Sequence, residues 1–172
     1  MIPPRATDIA MLLAAVVLVG CQPAGDPLGA TPPAPVGPGA VAVVNLRASP
    51  SAMNWDNQPG LDGVVVRVDC FKRGPNNELP VMVPGALEFT LYEGVIAREK
   101  LIQASPLRKW RFSGKQLEPF RARSMVGWGY SIPLGWGDRR PGTSAVTLAA
   151  RYIALSGATI EADPAVIAVG RH

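Results

Sequence analysis

The sequence predicts an all-β fold: an immunoglobulin-like or transthyretin-like antiparallel β-sandwich of about seven to nine strands, with one short helix near 114–121. Three observations predict it. Apolar residues recur at every second position, most clearly at Val64, Val66, Val68 and Cys70. Beyond residue 40 the helical 3.6 period is nearly absent. The alternating runs are also short and are broken by Gly/Pro/Asn clusters. No repeat of solenoid or propeller length is present. Gly127-Trp128-Gly129 and Gly135-Trp136-Gly137 echo each other, but two copies make no repeat architecture.

The elements follow in chain order. Residues 41–47 form a first strand, and 48–63 a long polar loop. Residues 64–71 are the clearest strand, ended by Arg73-Gly74-Pro75-Asn76-Asn77, a turn by composition. A short strand is expected at 81–83, stopped by Pro84-Gly85. Residues 87–93 alternate, with Leu87, Phe89 and Leu91 on one face. Residues 95–103 fit a strand or a short helix equally. In 108–113 alternation sends Trp110 and Phe112 inward and Lys109 and Arg111 outward. Ser113-Gly114-Lys115-Gln116 matches a capping box, which starts the helix over 114–121. Residues 125–134 place Val126, Trp128, Tyr130, Ile132 and Leu134 on one face, and Trp128 is expected in the core. Strands over 144–155 and 165–169, with a turn at Ser156-Gly157 and a stretch at 158–161 between them, complete the set.

Residues 1–20 have the parts of an export signal: a short start carrying Arg5 and Asp8, then an apolar run over 9–19. At about 11 residues that run is too short for a transmembrane helix, which needs about 20. Leu18-Val19-Gly20-Cys21 follows it and resembles the lipobox of bacterial lipoproteins. The resemblance implies cleavage before Cys21, lipid on its thiol, and a cell-envelope location. Gln22 in place of Asp points, by that family's sorting pattern, to the outer membrane. Residues 21–40 hold six prolines, four glycines and one charged residue, Asp26. Such a segment buries too little to offset its ordering entropy, so it reads as a tether. It would span about 25 Å as a coil or about 60 Å as polyproline II, and hold the domain off the membrane. The expected organisation is therefore 1–20 signal peptide, 21–40 tether and 41–172 a single β-sandwich domain. Leu61-Asp62-Gly63-Val64-Val65-Val66 and the stretch Pro84-Gly85-Ala86-Leu87-Glu88-Phe89-Thr90-Leu91-Tyr92, with the lipobox and spacer, resemble uncharacterised β-sandwich lipoproteins of planctomycete-type bacteria. That resemblance implies no activity.

Composition argues against several chemistries. Removing 1–20 takes one charge of each sign, so the net charge stays at +4, low for a dedicated nucleic-acid binder. The single histidine, His172, closes the sequence, so Ser-His-Asp and Cys-His mechanisms lack their base. Zinc sites built on His and Cys lack ligands, and neither GxxxxGK[ST] nor GxGxxG occurs. No cofactor is expected. Of the two cysteines, Cys21 is assigned to lipid, and Cys70 is expected to be a buried, inert thiol.

The remaining candidates are surfaces. Asn54-Trp55-Asp56-Asn57 with Asp62 has oxygen-ligand character but not the spacing of a calcium loop, so Asp56 and Asp62 are weak calcium candidates and Asx turns are the expected reading. Arg108, Lys109, Arg111, Lys115, Arg121 and Arg123 form a basic run opposed only by Glu118. It reads as a solvated strand face, with binding of an anionic partner as the alternative. Trp136, in a Gly-rich stretch before Asp138-Arg139-Arg140, is read as loop packing or as part of a partner surface. The expected function is that of a membrane-anchored, non-catalytic binding or assembly module. Its partners would be the membrane, through lipid, and an envelope protein or glycan, with no nucleic acid. A carboxylate-dependent cell-wall glycan hydrolase is the alternative from another class. It needs two carboxyl groups converging at about 5–9.5 Å in a cleft.

Overall fold

The computed structural model describes residues 31–32, 34–36, 41–56, 58–72 and 79–170. The expected signal segment, the lipobox and Cys21 lie outside the described residues. The chain divides into two units, Met1–Ala30 and Thr31–His172, and the second is the β-sandwich. The domain therefore starts earlier than residue 41. Val36 N–H donates to Met82 O at 3.0 Å, and the Val36 side chain packs on the core. Part of the expected tether thus belongs to the sandwich.

The fold is an all-β sandwich of antiparallel strands, nine of them among the described residues. They are β1 (Val41–Ala48), β2 (Gly63–Lys72), β3 (Ala86–Glu93), β4 (Arg108–Ser113), β5 (Arg121–Ser124), β6 (Gly127–Gly135), β7 (Ala145–Ile153), β8 (Thr159–Glu161) and β9 (Ala165–Ala168). One sheet runs β1-β2-β6-β5. The other runs β4-β3-β7, and β8 and β9 share the far edge of β7.

Alternation explains the packing. Val64, Val66, Val68 and Cys70 of β2 and Tyr130, Ile132 and Leu134 of β6 face Leu87, Phe89 and Leu91 of β3 and Val146, Leu148 and Tyr152 of β7 across one continuous core. Burying each large apolar side chain stabilises the fold by about 1.5–3 kcal/mol. Tyr130 brings a hydroxyl into this core and satisfies it by accepting from Val83 N–H at 2.9 Å. Residues 81–83, expected as a strand, make no ladder. They form a strap held by that hydroxyl and by Val81 N–H donating to Cys70 O at 2.7 Å.

Among the described residues, two 3-10 helices punctuate the strands. Residues 95–103, ambiguous in sequence, resolve into a 3-10 helix over Arg98–Gln103. The expected helix near 114–121 is a 3-10 helix over Gly114–Phe120, started where Ser113 N–H donates to Gln116 Oε1 at 3.1 Å. Pro119 lies inside it and lacks the N–H that an α-helix would use. This helix crosses from β4 to β5, and so from one sheet to the other. Strand β5 was not anticipated: Arg121–Ser124 carries no large apolar residue to mark an inward face, and β5 is held by pairing with β6. Val126 accordingly lies in the β5–β6 turn rather than on the inner face. Trp128 is half-buried opposite Arg123 rather than central to the core.

Candidate functional site

The outer face of the second sheet carries a cross-strand charge ladder. Register sets Arg111 of β4 beside Glu88 of β3, Glu88 beside Arg151 of β7, and Arg151 beside Glu161 of β8. Opposite charges directly across strands attract, and the row alternates sign at every step. Glu88 and Arg151 meet at 2.6 Å. The next row along is Lys109, Thr90 and Ala149.

The segment after β3 folds back over this face. Thr147 Oγ1 accepts from Ile96 N–H at 2.9 Å and donates to Gly94 O at 2.8 Å, which pins the segment to β7 and buries Thr147. The first 3-10 helix then forms a wall. Arg98 fixes it to the far edge by pairing with Asp163 and, at 3.8 Å, with Glu161.

Between wall and sheet lies a groove of about 690 Å³, within the usual range for ligand clefts. Its floor includes Glu88, Thr90, Tyr92, Lys109 and Arg151, and its wall Arg98, Glu99, Leu101 and Ile102. Arg98, Lys109 and Arg151 balance Glu88, Glu99 and Glu161. The lining is therefore suited to a partner of mixed charge with an apolar portion, which would meet Ile102, 91 % exposed. Of these residues sequence reasoning had named only Lys109 as a site residue. The polar face of β3 was legible by alternation, but the wall over it was not.

The basic run does not assemble on one face. Lys109 and Arg111 point outward from β4, as alternation predicts. Arg108 turns the other way: it donates to Trp136 O, pairs with Asp138 at 3.6 Å and lies 5.6 Å from the centre of the Trp110 ring. Lys115 is exposed on the second 3-10 helix. Arg121 pairs with Glu118 at 3.7 Å, and Arg123 sits on β5 in the other sheet. Trp136 is 1 % exposed and belongs to the core, so it is not part of a partner surface. Arg108 and the long loop before β2 close over it: Trp136 N–H donates to Asp62 O at 2.6 Å.

Asp56 and Asp62 serve that same loop. Asp62 Oδ2 accepts from Trp55 N–H at 2.6 Å and Asp56 N–H at 3.3 Å, and Asp56 Oδ1 accepts from Gln58 N–H at 2.8 Å. The Asp56 bond, to the residue two positions on, is that of an Asx turn, whereas Asp62 reaches back across the loop and braces it. No group of three or more His, Cys, Asp or Glu residues placed to hold a metal occurs among the described residues.

The outer face of the first sheet holds a second charged cluster. Asp69 is 1 % exposed and paired with Arg47 and, at 3.0 Å, with Arg67. Arg67 also donates to Ala122 O at 3.3 Å and Gly127 O at 3.1 Å, which ties β2 across β6 to β5. Gly129 makes room, since a Cβ there would collide with Asp69 Oδ1. The Asp69 carboxylate is closed to solvent while Arg47 stays half-exposed, and the cluster acts as a clasp.

Cys70 is fully buried, and burial, reinforced by the neighbouring Asp69 charge, pushes its thiol up to about 12. It is not a nucleophile at neutral pH. Among the described residues, no helix is long and apolar enough to cross a membrane. Compared with known proteins, the chain matches no family model, no curated protein and no solved structure.

Proposed function

We propose that this chain is a lipid-anchored protein of a bacterial cell envelope, placed at the outer membrane, whose β-sandwich is a non-catalytic binding or assembly module. The observation that carries the binding role is the groove on the outer face of β3, β4 and β7, with equal numbers of cationic and anionic side chains and an exposed apolar wall. Leu18-Val19-Gly20-Cys21-Gln22 supports the anchor and the location. The partner is an envelope protein or a peptide-bearing cell-wall glycan, since either offers mixed charge along an extended chain.

The groove also holds three glutamates, which is what favours the carboxylate-hydrolase alternative. Against it, Glu88 and Glu161 are each engaged by an arginine, at 2.6 Å and 3.8 Å. That arrangement fits a structural ladder better than an acid and a base awaiting substrate.

One experiment in intact cells tests the reading. A photo-crosslinking residue at Ile102 is expected to capture a discrete envelope component, whereas the same residue at Gln58, in the loop before β2, captures none. Identical capture patterns at the two sites would rule out the groove. In parallel, Cys21→Ala is expected to release the folded domain from membranes on a salt wash. Retention of that variant would sink the anchor. Glycan cleavage that disappears in both Glu88→Gln and Glu161→Gln would replace binding with hydrolysis.

A further inference from the structure

The two-residue turn between β5 and β6 carries unusual chemistry for a turn that meets only water. β5 and β6 close with Ser124 opposite Gly127, which leaves Met125 and Val126 as the two tip residues. Such tips are normally filled by Gly, Asn, Asp, Pro or Ser, which adopt turn dihedrals or bond their own backbone. Here Met125 is 104 % exposed and Val126 42 %. Leu79, 68 % exposed, joins them. Gly127, at φ +118°, permits this approach: a Cβ there would stand 2.9 Å from Pro80 Cδ and 3.8 Å from Leu79 Cδ2. Ser124 holds the tip in shape. Its Oγ accepts from Val126 N–H at 3.3 Å and donates to Gly127 O at 3.3 Å. Three large apolar side chains are thus displayed from a fixed backbone at one end of the domain.

That end is also where the chain enters. Val68 pairs with Tyr130, so β2 finishes beside the start of β6, and Val41 at the head of β1 pairs with Lys72 at the end of β2. Val36 N–H bonds Met82 O in the strap that leads on from Leu79. About 15 residues separate Cys21 from Val36, a distance along the chain that is short against the size of the domain. An anchor at Cys21 therefore keeps this end of the sandwich toward the bilayer. Lys72 and Arg123, both exposed, add positive charge there, opposite in sign to phosphate headgroups.

We propose that the Met125-Val126 tip, with Leu79, inserts into the boundary between headgroups and acyl chains of the bilayer that holds Cys21. The sandwich then rests end-on against lipid, and the loop between β1 and β2 points away. The direction of the membrane in this proposal rests on the lipid-anchor reading. It replaces a domain held at a distance with one in contact at a defined tip.

The test uses the full-length lipidated protein in vesicles of phosphatidylethanolamine and phosphatidylglycerol. An environment-sensitive fluorophore is attached at Met125→Cys or, at the opposite end, at Gln58→Cys; buried Cys70 does not react. Nitroxide-labelled lipids are expected to quench position 125 several-fold more than position 58, with a blue shift at 125 alone. The contrast should vanish when Leu79→Asp and Val126→Asp are added to the still-anchored protein. Equal quenching at 125 and 58 overturns the tip proposal and leaves the anchor standing. A blue shift at 125 without nitroxide quenching means that another protein copy covers the tip, and overturns the lipid assignment. Mass spectrometry of the Cys21 peptide reads the anchor separately. Absent lipid there, with position 125 still quenched, overturns the anchor and supports the tip.

Discussion

Asp69 is a carboxylate on the outer side of a sheet, yet water does not reach it. Two arginines and the missing side chain of Gly129 enclose it. Removing one member of a buried pair leaves an uncompensated charge and costs about 3–5 kcal/mol. Arg47 is half-exposed, which softens the penalty. Asp69→Ala is therefore expected to lower stability by about 3 kcal/mol, read as a shifted urea midpoint with an unchanged slope. A loss below about 1 kcal/mol would reduce the clasp to an ordinary surface pair.

Cys70, next along β2, makes the opposite statement, because its neutral form is the folded one. Its thiol rises from 9.0 to about 12 in the fold. Below pH 9 both states are protonated, and the thiol has no pH effect. Between about 9 and 12 the unfolded chain releases the proton and the folded one keeps it, so stability falls with rising pH. Tyr130 and Tyr152, raised chiefly by burial, act in the same direction at higher pH. Alkaline unfolding monitored by circular dichroism is expected to shift upward in Cys70→Ala relative to its own neutral-pH stability. A thiol reagent at pH 8 should label wild type only in denaturant. Rapid labelling of the native protein would contradict the burial of Cys70.

Among elements, the first 3-10 helix decides whether the sheet face is a groove or an open surface. It buries none of its own residues. Arg98 ties it to Glu161 and Asp163 on the far edge, and Thr147 pins the segment leading into it. Those ion pairs are exposed, so they contribute little to global stability. Arg98→Ala is thus expected to leave the melting temperature nearly unchanged and to speed amide exchange over 98–103, while β3 and β7 keep their protection. Capture at Ile102 should weaken in the same variant. A cooperative loss of protection in β3 would show instead that the wall is part of the fold's core unit. The element scale also explains the scattering of the basic run. Six charges close in sequence are shared among β4, a crossing helix and β5, which belong to two sheets.

At the scale of the whole molecule the two ends and the two faces have different tasks. One sheet's outer face carries the Asp69 clasp, and the other's carries the groove. One end gathers the chain entry and the apolar tip, and the other holds the loop that seals Trp136. The strands with strong alternation, their inward faces and hence the sandwich are legible in the order of residues alone. Val64 to Cys70 and Leu87 to Leu91 point as their spacing requires, because a strand's pleat is a local property of two neighbouring residues. The resemblance of Leu18-Val19-Gly20-Cys21 to a lipobox and the reading of the Pro-rich segment rest on motif and composition, and both lie outside the described residues. That Arg121–Ser124 is a strand, that Trp136 is core, that the domain reaches back to Val36 and that a groove exists emerge only in the folded molecule. Each depends on segments far apart in sequence meeting through register and crossovers, and such meetings leave no period along the chain to read.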